Sequence, residues 1–448
     1  MIDFLLKRFE ENCDTEAVIW NDQSYTYGWL IDRLNHWQSV IEVQKIPKGT
    51  IVALEADFSP NSIALFLALT QSRCILVPLT PSTGPKKTEF INTSQVEIIF
   101  KIDDSDNVTL EKLCRSVNHN IYQKLRKLNH PGVVVFSSGS TGESKAIVQD
   151  LYSLLKKFQI RRQRQRAITF LLYDHLGGIN TMLYQLSNCG CIVTPIDRTP
   201  DVVLNAIEKH NVDLLPTTPT FINLMLLSEA YNRYNISSLK TITYGTEPMP
   251  QSTLTKLHEL FPKIRLLQTY GMTELGVLRS KSKSSNSLWV KIGGEGFKTR
   301  VIDGILQVKA ESAMLGYLNS PNPFTKDGWL DTGDIVEVDG EYMKFLGRKS
   351  DIINVGGEKV FPAEVENIIQ ELDNIAEVTV YGEQNAIMGN IVCATVRLVS
   401  PEDLPGFSKR LKSYCTARLP RYKIPVKVSL SKDIQHGNRF KKLRKIIN

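Results

Sequence analysis

The sequence is poor in the features that mark disulfide-rich, metal-binding and membrane proteins. Its 448 residues include only seven cysteines, an odd number without metal-like spacing, which argues against a disulfide framework or a structural zinc site. Cys189 and Cys191 around Gly190 predict a turn that leads into a strand, not a redox pair. Residues 63–69 are apolar, but no such run is long enough to span a bilayer. The N-terminus lacks a signal-peptide pattern, so a cytoplasmic protein without a membrane span is expected.

The sequence also lacks a large excess of either positive or negative charge. The formal net charge of +7, from 54 basic and 47 acidic residues, is modest. The densest basic run, residues 156–166, predicts a solvated helix face. The alternative is a docking surface for a polyanion, such as the phosphates of coenzyme A or an acidic carrier protein. Because no recognised nucleic-acid module accompanies the run, nucleic acid is not expected as a partner.

Apolar strand-like runs alternate with amphipathic stretches through most of the chain. Residues 51–54 and 75–79 read as strands on either side of a helix at 61–71. Such alternation predicts an α/β fold with largely parallel sheets, and the length predicts two or more domains. Ligands tend to bind at the carboxyl ends of parallel strands.

The pattern changes in the second half of the chain. Short β runs between residues 290 and 345 carry Asp-Gly turn signals, and a new unit with strands and helices follows. The predicted fold class is therefore α/β, with a large N-terminal domain of α/β sheets plus a β-rich subdomain and a small mobile α+β C-terminal domain. The predicted bounds are 1–347 and 348–448, with a hinge near 347–350.

A donor-rich loop follows the apolar residues 133–135. Glycines allow the backbone to approach phosphate oxygens, hydroxyls add neutral donors and a lysine adds a positive charge. An ordinary solvated turn is the alternative for this segment alone. The candidate phosphate-binding residues are Ser137, Ser138, Gly139, Ser140, Thr141, Gly142 and Lys145.

Further chemistry-bearing segments lie downstream. In residues 270–274 (Tyr-Gly-Met-Thr-Glu) an aromatic ring can stack on a flat base, and the carboxylate can bind Mg²⁺. Asp334 follows a glycine turn and can accept hydrogen bonds from ribose hydroxyls. Arg348 and the glycine-containing segment 354–366 complete the set. Each segment alone is also compatible with an ordinary turn or strand end.

Together and in this order, these segments resemble the adenylate-forming superfamily of acyl- and aryl-CoA synthetases, peptide-synthetase adenylation domains and luciferases. The resemblance covers nearly the whole chain. It implies that a carboxylate attacks the α-phosphate of ATP, with Mg²⁺ present, to give an acyl-AMP and pyrophosphate. A thiol, from coenzyme A or from phosphopantetheine on a separate carrier protein, then takes the acyl group and releases AMP.

The resemblance also implies a role for each motif residue. Residues 137–145 would cover the leaving pyrophosphate, and Ser350 would be the pivot on which the small domain turns between the two steps. The implied contacts are Tyr270 with adenine, Thr273 with the α-phosphate, Glu274 with Mg²⁺, Asp334 and Arg348 with ribose, Gly245, Thr246 and Glu247 with the adenine pocket, and Gly356 and Gly357 with the pantetheine tunnel.

The C-terminal lysine departs from the family pattern. Relatives end with Gly-Lys-x-x-Arg, whose lysine bridges the carboxylate and the ribose during adenylation. Here Asn438 follows Gly437, and an alignment shifted onto Lys-x-x-Arg selects Lys441 with Arg444. Lys441 is therefore the expected catalytic lysine, and a lost or relocated lysine is the alternative.

The acid-binding segment matches two patterns. His175 and Gly178 resemble the histidine and glycine of acyl- and aryl-CoA synthetases, whereas Tyr173-Asp174 resembles the aromatic–aspartate pair of amino-acid-activating domains. A pairing of Asp174 with His175 is a third, purely structural possibility. Thr218, Tyr244 and Gly271 are expected to line the same pocket.

The favoured hypothesis is an ATP-dependent ligase that joins a small carboxylic acid, acyl or aryl, to coenzyme A or to a separate carrier protein. An amino-acid adenylating enzyme that loads a stand-alone carrier is the second hypothesis. A degenerate nucleotide-binding protein, supported only by the missing Gly-Lys pair, is the third.

Overall fold

The alternating apolar and amphipathic segments form strands and helices in a computed structural model that describes residues 1–138, 143–437 and 440–442. The helices are α1 Asp3–Glu10, α2 Tyr27–Val43, α3 Pro60–Gln71, α4 Lys87–Thr93, α5 Asn120–Leu128, α6 Leu151–Leu155, α7 Leu176–Ser187, α8 Pro200–His210, α9 Pro219–Ser228, α10 Gln251–Leu260, α11 Pro362–Gln370 and α12 Leu404–Thr416.

The strands of the described residues outnumber the helices. They are β1 Glu16–Trp20, β2 Gln23–Thr26, β3 Ile51–Glu55, β4 Ile75–Leu79, β5 Ile98–Ile102, β6 Val108–Lys112, β7 Gly132–Ser138, β8 Ser144–Asp150, β9 Arg166–Ile168, β10 Cys191–Thr194, β11 Leu214–Thr217, β12 Thr241–Tyr244, β13 Arg265–Gln268, β14 Gly271–Met272, β15 Gly276–Val277, β16 Arg279–Ser282, β17 Val290–Gly293, β18 Phe297–Ile302, β19 Ile305–Ala310, β20 Gly316–Tyr317, β21 Leu330–Asp339, β22 Tyr342–Arg348, β23 Ile353–Val355, β24 Glu358–Val360, β25 Ile375–Asn385, β26 Gly389–Leu398 and β27 Lys427–Leu430.

Two seven-stranded sheets form the large N-terminal part. One has the order β13-β12-β11-β9-β10-β1-β2 and the other β20-β8-β7-β4-β3-β5-β6. The strands β11, β12 and β13 are parallel, so their carboxyl ends meet at one edge of the first sheet. Helix α3 is apolar on almost every side and is buried between layers, as expected of a helix without a polar face. The predicted α/β class is confirmed.

A third sheet, of order β16-β17-β22-β21-β19-β18, is the predicted β-rich subdomain. Its Asp-Gly turns close antiparallel hairpins: β18 pairs with β19, and β21 pairs with β22. Gly304 and Gly340 have φ angles of 75° and 58°, which glycine adopts without a steric penalty. The sheet packs on an apolar core that includes Leu306, Val308 and Val336.

The C-terminal unit has its own sheet and core. Its sheet has the order β24-β23-β26-β25, with β27 added beside β26, and α11 and α12 cover it. Strand β22 ends at Arg348, and a single 3₁₀ turn, Lys349–Asp351, leads into β23. The proposed hinge near 347–350 and the bounds 1–347 and 348–448 coincide with this junction and stay predictions.

The basic run differs from its expected form. Helix α6 ends at Leu155, a 3₁₀ turn covers Lys156–Phe158, and the arginines that follow lie on an irregular, exposed segment. The run is therefore a solvated loop in its second half and not a helix face. Its Lys157 turns inward, which the charge pattern did not predict.

The state of the cysteines and the lengths of the apolar helices agree with what the sequence predicts. All seven cysteines are free, and Cys189 and Gly190 lie in the predicted turn, which leads into β10 at Cys191. Within residues 1–138, 143–437 and 440–442, no helix has both the length and the apolar character needed to cross a membrane.

Candidate functional site

The described parts of the donor-rich segment are the end of β7 and the start of β8, which pair antiparallel. Ser137 pairs with Lys145 and Ser138 with Ser144, the last pairs of this ladder. The Lys145 ammonium lies 5.1 Å from the centre of the Tyr317 ring, a cation–π distance. The candidate residues Gly139, Ser140, Thr141 and Gly142 lie outside the described residues, so their phosphate contacts stay predictions.

Glu274 lies in the turn between β14 and β15, close to the same tyrosine. Its Oε1 accepts a hydrogen bond from the Tyr317 hydroxyl at 2.9 Å. The turn is fixed by Gln149, whose Nε2 donates to the Thr273 carbonyl at 2.5 Å, and by the Met314 N–H, which donates to the Glu274 carbonyl at 2.7 Å. Tyr317 thus brings Glu274 near the phosphate hairpin.

One carboxylate at this position fits a magnesium ion that arrives with its nucleotide. Mg²⁺ in such sites is held by one or two carboxylates together with substrate phosphates and water. Among the described residues there is no cluster of three His, Cys, Asp or Glu that could hold a metal by itself. The donor set therefore favours Glu274 as a single protein ligand and the phosphates as the others.

Asp334 is held at the site by two neighbours. Its Oδ2 accepts a hydrogen bond from the Tyr270 hydroxyl at 2.7 Å, and its Oδ1 lies 3.2 Å from Nε of Arg348, its cross-strand partner. The Tyr270 ring is stacked on Phe345, with centroids 4.7 Å apart. Burial raises the pKa of Asp334, and the Arg348 guanidinium opposes that rise. This carboxylate is positioned to accept hydrogen bonds from a diol such as ribose.

Lys441 reaches this group from the C-terminal tail. Part of its side chain is exposed, yet burial of the ammonium and then the charge of Arg348 lower the pKa of Lys441. The carboxylates of Glu247 and Asp334 act in the opposite direction. The charge of Asp334 therefore acts on Lys441, which agrees with the shifted alignment and leaves the lysine's role a prediction.

Phe440, directly before the lysine, docks the tail on the N-terminal domain. Its ring lies 5.3 Å from that of Phe170 and 5.8 Å from that of Phe221. The Thr218 hydroxyl donates a 2.8 Å hydrogen bond to the Phe440 carbonyl. Phe440 has a φ of 48°, in the left-handed region that favours glycine. Thr218, expected to line the acid pocket, thus holds the tail in this conformation.

A buried ionic cluster anchors the other end of the tail in the C-terminal unit. Glu377 accepts hydrogen bonds from Arg397 Nε at 2.6 Å and from the Gln435 N–H at 3.2 Å, and it pairs with Nδ1 of His436 at 2.5 Å. The His436 ring stacks on Phe440. Burial opposes ionisation of Glu377, but these partners lower its pKa to about 2. The segment that carries Lys441 is thus fixed on both sides.

Glu247 joins the tail to the first sheet. Its Oε1 accepts hydrogen bonds from the N–H and the hydroxyl of Thr220, and its Oε2 accepts one from the Lys442 N–H at 3.1 Å.

The loop before Glu247 has a constrained backbone. Thr246 has a φ of 73°, and Gly245 lies so close to Thr269 that a Cβ on Gly245 would meet the Thr269 Oγ1 at 2.6 Å. A glycine is therefore required at Gly245, and the loop is held close to β13.

Three buried polar atoms at the carboxyl ends of β11, β12 and β13 have no hydrogen-bond partner among the described residues. They are Thr217 Oγ1, Tyr244 Oη and Gln268 Oε1. Buried polar groups are normally paired, so such a set is expected where a ligand supplies the partners. The observation fits a base or an acid bound at this edge, where Tyr244 was expected.

The predicted acid-binding segment is fixed by contacts within the large domain. Tyr173 is fully buried and its hydroxyl donates to the Ser62 carbonyl at 3.3 Å, so it belongs to the core. Asp174 is buried and accepts a hydrogen bond from Thr80. His175 caps α7, with Nδ1 accepting from the Gly177 N–H at 3.1 Å. A Cβ on Gly178 would collide with the Leu172 carbonyl, so only glycine fits there.

Two predicted groups lie outside this cluster. Gly356 and Gly357 form the exposed turn between β23 and β24, with φ angles of 59° and 92°. Ser350 lies in the turn before β23, and its hydroxyl donates to Asp351 at 2.9 Å. Their roles in the pantetheine tunnel and the domain pivot stay predictions. Gly271 pairs with Val277 in the β14–β15 hairpin beside Glu274.

Sequence reasoning missed several residues that organise the site. Tyr317, Gln149 and Glu377 belong to no motif, because each acts through a contact with a residue distant in sequence. Phe440 had a signal: an aromatic residue stands where relatives carry the glycine before the lysine.

Comparisons with known proteins agree with the motifs. The model of the AMP-binding enzyme family matches residues 5–294, and that of the AMP-binding enzyme C-terminal domain matches residues 364–441. The 2-succinylbenzoate–CoA ligase of Enterococcus faecalis is 25% identical over 95% of this chain and 93% of its own length.

Two solved structures share the fold. An anthranilate CoA ligase in complex with anthranoyl-AMP gives a TM-score of 0.82 at 18% identity, covering 98% of this chain and 95% of that chain. The o-succinylbenzoate coenzyme A synthetase of Bacillus subtilis, in complex with ATP and a magnesium ion, gives 0.75 at 21% identity, covering 98% of both chains. The chain belongs to the AMP-binding enzyme family and is an acid–thiol ligase of the AMP-forming type.

Proposed function

We propose that the enzyme joins a small carboxylic acid to coenzyme A and that Lys441 bridges the acid and the ribose in the first step. The observation that carries this assignment is the docking of both neighbours of Lys441 on the large domain, Phe440 through Thr218 and Lys442 through Glu247, although the tail lacks the Gly-Lys pair. The pKa of Lys441 is lowered by burial, while the charges of Glu247 and Asp334 oppose the shift, which agrees with this position.

In the first step the residues of the site bind and orient the reactants. Asp334, held by Tyr270 and Arg348, accepts the ribose hydroxyls, while Glu274 offers its carboxylate to Mg²⁺. When bound there, Mg²⁺ would supply positive charge next to the phosphates. An oxygen of the acid attacks the α-phosphorus, and the bond to pyrophosphate breaks. Lys441 and Lys145 stabilise negative charge around this centre, which is the main source of such catalysis.

In the second step the thiol attacks the acyl carbonyl and AMP leaves. For this step the C-terminal domain turns about Ser350, withdraws Lys441 and brings the turn of Gly356 and Gly357 to the thiol's path. Serine absorbs such a change in backbone dihedrals without difficulty. Coenzyme A is the proposed thiol acceptor, and phosphopantetheine on a separate carrier protein is the alternative.

Pyrophosphate release with ATP, Mg²⁺ and a panel of acids tests the activity. We expect release with simple aryl or acyl acids, and AMP formation that needs coenzyme A. The panel begins with 2-succinylbenzoate, the acid in the name of the Enterococcus faecalis relative. If no acid gives pyrophosphate, the degenerate nucleotide-binding hypothesis replaces this one.

The substitution Asp174→Ala separates simple acids from amino acids. Asp174 is buried beside Thr80, as expected of a residue that shapes the pocket. We expect amino acids to be poor substrates of the wild type and simple acids to be activated. Loss of amino-acid activation in the variant, with simple acids unaffected, would establish the amino-acid adenylating enzyme instead.

A further inference from the structure

The C-terminal unit also meets the large domain at a point outside the tail, on helix α9. Nδ2 of Asn223 in α9 donates a 2.9 Å hydrogen bond to the backbone carbonyl of Ala376 in β25. Asn223 is partly exposed, whereas Ala376 is buried. A buried carbonyl normally has a hydrogen-bond partner, and here the large domain supplies it.

The Ala376 carbonyl is available because β25 is irregular at this residue. Strand β25 pairs with β26 at Ile375 and again at Glu377, and the register shifts between the two pairs. Ala376 is therefore the extra residue of a β-bulge in the described ladder. Bulges redirect groups of one strand and are frequent next to active sites. This bulge presents to Asn223 a carbonyl that the ladder does not use.

The bulge lies directly before the residue that anchors the tail in the C-terminal unit. Glu377 follows the bulged residue and holds the tail through the Gln435 N–H and the His436 ring. Asn223 therefore fixes the base from which the tail carries Lys441 toward the large domain.

Helix α9 holds the far end of the tail as well. Thr218, the N-cap of α9, donates from its hydroxyl to the Phe440 carbonyl at 2.8 Å. The N–H of Thr220 in the first turn donates to Glu247, whose other carboxylate oxygen accepts from the Lys442 N–H. One helix of the large domain thus contacts both the base and the end of the tail.

We propose that Asn223 is a positioning residue for acyl-AMP formation, because its bond to the bulge holds the C-terminal unit in the arrangement that presents Lys441. The inference rests on the function proposed above. The bond has to break before the C-terminal unit turns for the thiol step, since Asn223 and Ala376 lie on the two parts that move against each other. A neutral hydrogen bond suits such a contact, because both groups bond to water once it opens.

The test measures the two steps separately in single turnovers: pyrophosphate release, and acyl transfer to coenzyme A from supplied acyl-AMP. The proteins are the wild type, Asn223→Ala, Asn223→Asp and Asn232→Asp. Aspartate has the shape of asparagine but no N–H to donate, and its charge repels the carbonyl. Asn232 is the matched control, because it is exposed just beyond the end of α9.

We expect Asn223→Ala to lower the ratio of the first-step rate to the second-step rate by about fivefold, the effect of losing one neutral hydrogen bond. Asn223→Asp is expected to lower this ratio by about tenfold or more, since it adds repulsion. Transfer from supplied acyl-AMP is expected to keep its rate, and Asn232→Asp to behave as the wild type. An unchanged ratio in both Asn223 variants would show that the contact serves only the fold and would overturn the inference.

Hydrogen–deuterium exchange of the tail gives a second measure that does not depend on activity. The Lys442 N–H, bonded to Glu247, is expected to exchange faster in Asn223→Asp than in the wild type or Asn232→Asp. Equal exchange in all three proteins would overturn the inference and leave the proposed function standing. If the wild type releases no pyrophosphate with any acid, the proposed function fails, while the exchange rates still decide whether Asn223 holds the C-terminal unit.

Discussion

At the scale of the residue, the site depends on side chains whose partners come from distant parts of the chain. Tyr317 contacts both Lys145 and Glu274, and Asp334 is held by Tyr270 and Arg348. Sequence motifs predicted all of these residues except Tyr317. They could not identify Tyr317, because nothing in the residues around it marks a tyrosine that meets two functional groups.

Lys441→Ala is expected to slow pyrophosphate release by about a hundredfold or more, because it removes a positive charge from the centre where negative charge develops. Transfer of the acyl group from supplied acyl-AMP to coenzyme A is expected to be nearly unchanged. Single-turnover measurements of each step check both statements.

Lys432→Ala is the control for that substitution, since Lys432 is exposed earlier in the same tail. It is expected to leave both steps intact. Unchanged pyrophosphate release in Lys441→Ala would remove Lys441 from the proposed role.

At the scale of the element, most strands and helices follow from periodicity. The strands predicted at 51–54 and 75–79 form at Ile51–Glu55 and Ile75–Leu79, and the helix predicted at 61–71 is α3. The basic run at 156–166 was wrongly predicted as a helix face. The density of charged residues along a sequence does not indicate the direction in which each side chain points. The pattern therefore could not show that Lys157 turns inward while the arginines stay in solvent.

Phe440→Ala is expected to lower the rate of acyl-AMP formation about tenfold, because it removes the aromatic contacts that dock the tail. Each such contact contributes roughly 1 kcal/mol, and tenfold in rate corresponds to about 1.4 kcal/mol. The thiol step from supplied acyl-AMP is expected to keep its rate, which is measured in parallel.

Phe261→Ala is the matched control, since Phe261 packs on Tyr231 in the same core but outside the tail contact. It is expected to lower thermal stability and leave the ratio of the two steps unchanged. A similar shift of that ratio in both variants would mean that Phe440 acts only through stability.

Glu377 makes the anchor of the tail sensitive to acid. Its pKa is about 2, below the usual 4.5, so its contribution to stability is complete above about pH 4.5 and is lost as the pH falls toward about 2. Glu377→Gln is expected to lower the free energy of unfolding near pH 6 by at most about 3 kcal/mol, with solvent screening reducing this value.

The difference between Glu377→Gln and the wild type is expected to shrink near about pH 3, as measured by denaturant unfolding. Glu358→Gln, on the exposed side of β24, provides the control and is expected to change little at either pH. A difference that does not depend on pH would show that the carboxylate contributes through packing and not through charge.

At the scale of the whole molecule, the C-terminal unit and the large domain meet through the tail. Glu247, Thr218 and the aromatic pair Phe170 and Phe221 hold it on the large domain, whereas Glu377 holds it on the small one. The order of motifs predicted two units with a junction near 347–350. It could not predict their docking, because Glu247 and Thr218 were expected to line ligand pockets and the aromatic pair and Glu377 belong to no motif.

Ser350→Pro is expected to slow the thiol step by about tenfold or more and to affect acyl-AMP formation less. Proline fixes φ near −65°, and the turn Lys349–Asp351 has the helical form that this angle allows, so the variant resists rotation away from the present arrangement. Rapid-quench measurement of both steps checks the expectation.

Ser350→Ala is the control and is expected to support both steps, because alanine leaves the backbone free to rotate. Equal slowing of the two steps in Ser350→Pro would place the pivot elsewhere.

The left-handed backbone of Phe440 bears on how such enzymes are recognised from sequence. The φ of 48° lies in the left-handed region that glycine adopts most easily, while the ring adds contacts that glycine cannot make. A search that demands glycine before the lysine discards this chain as inactive. A search that scores the handedness of that position, and accepts any residue able to adopt it, retains this chain.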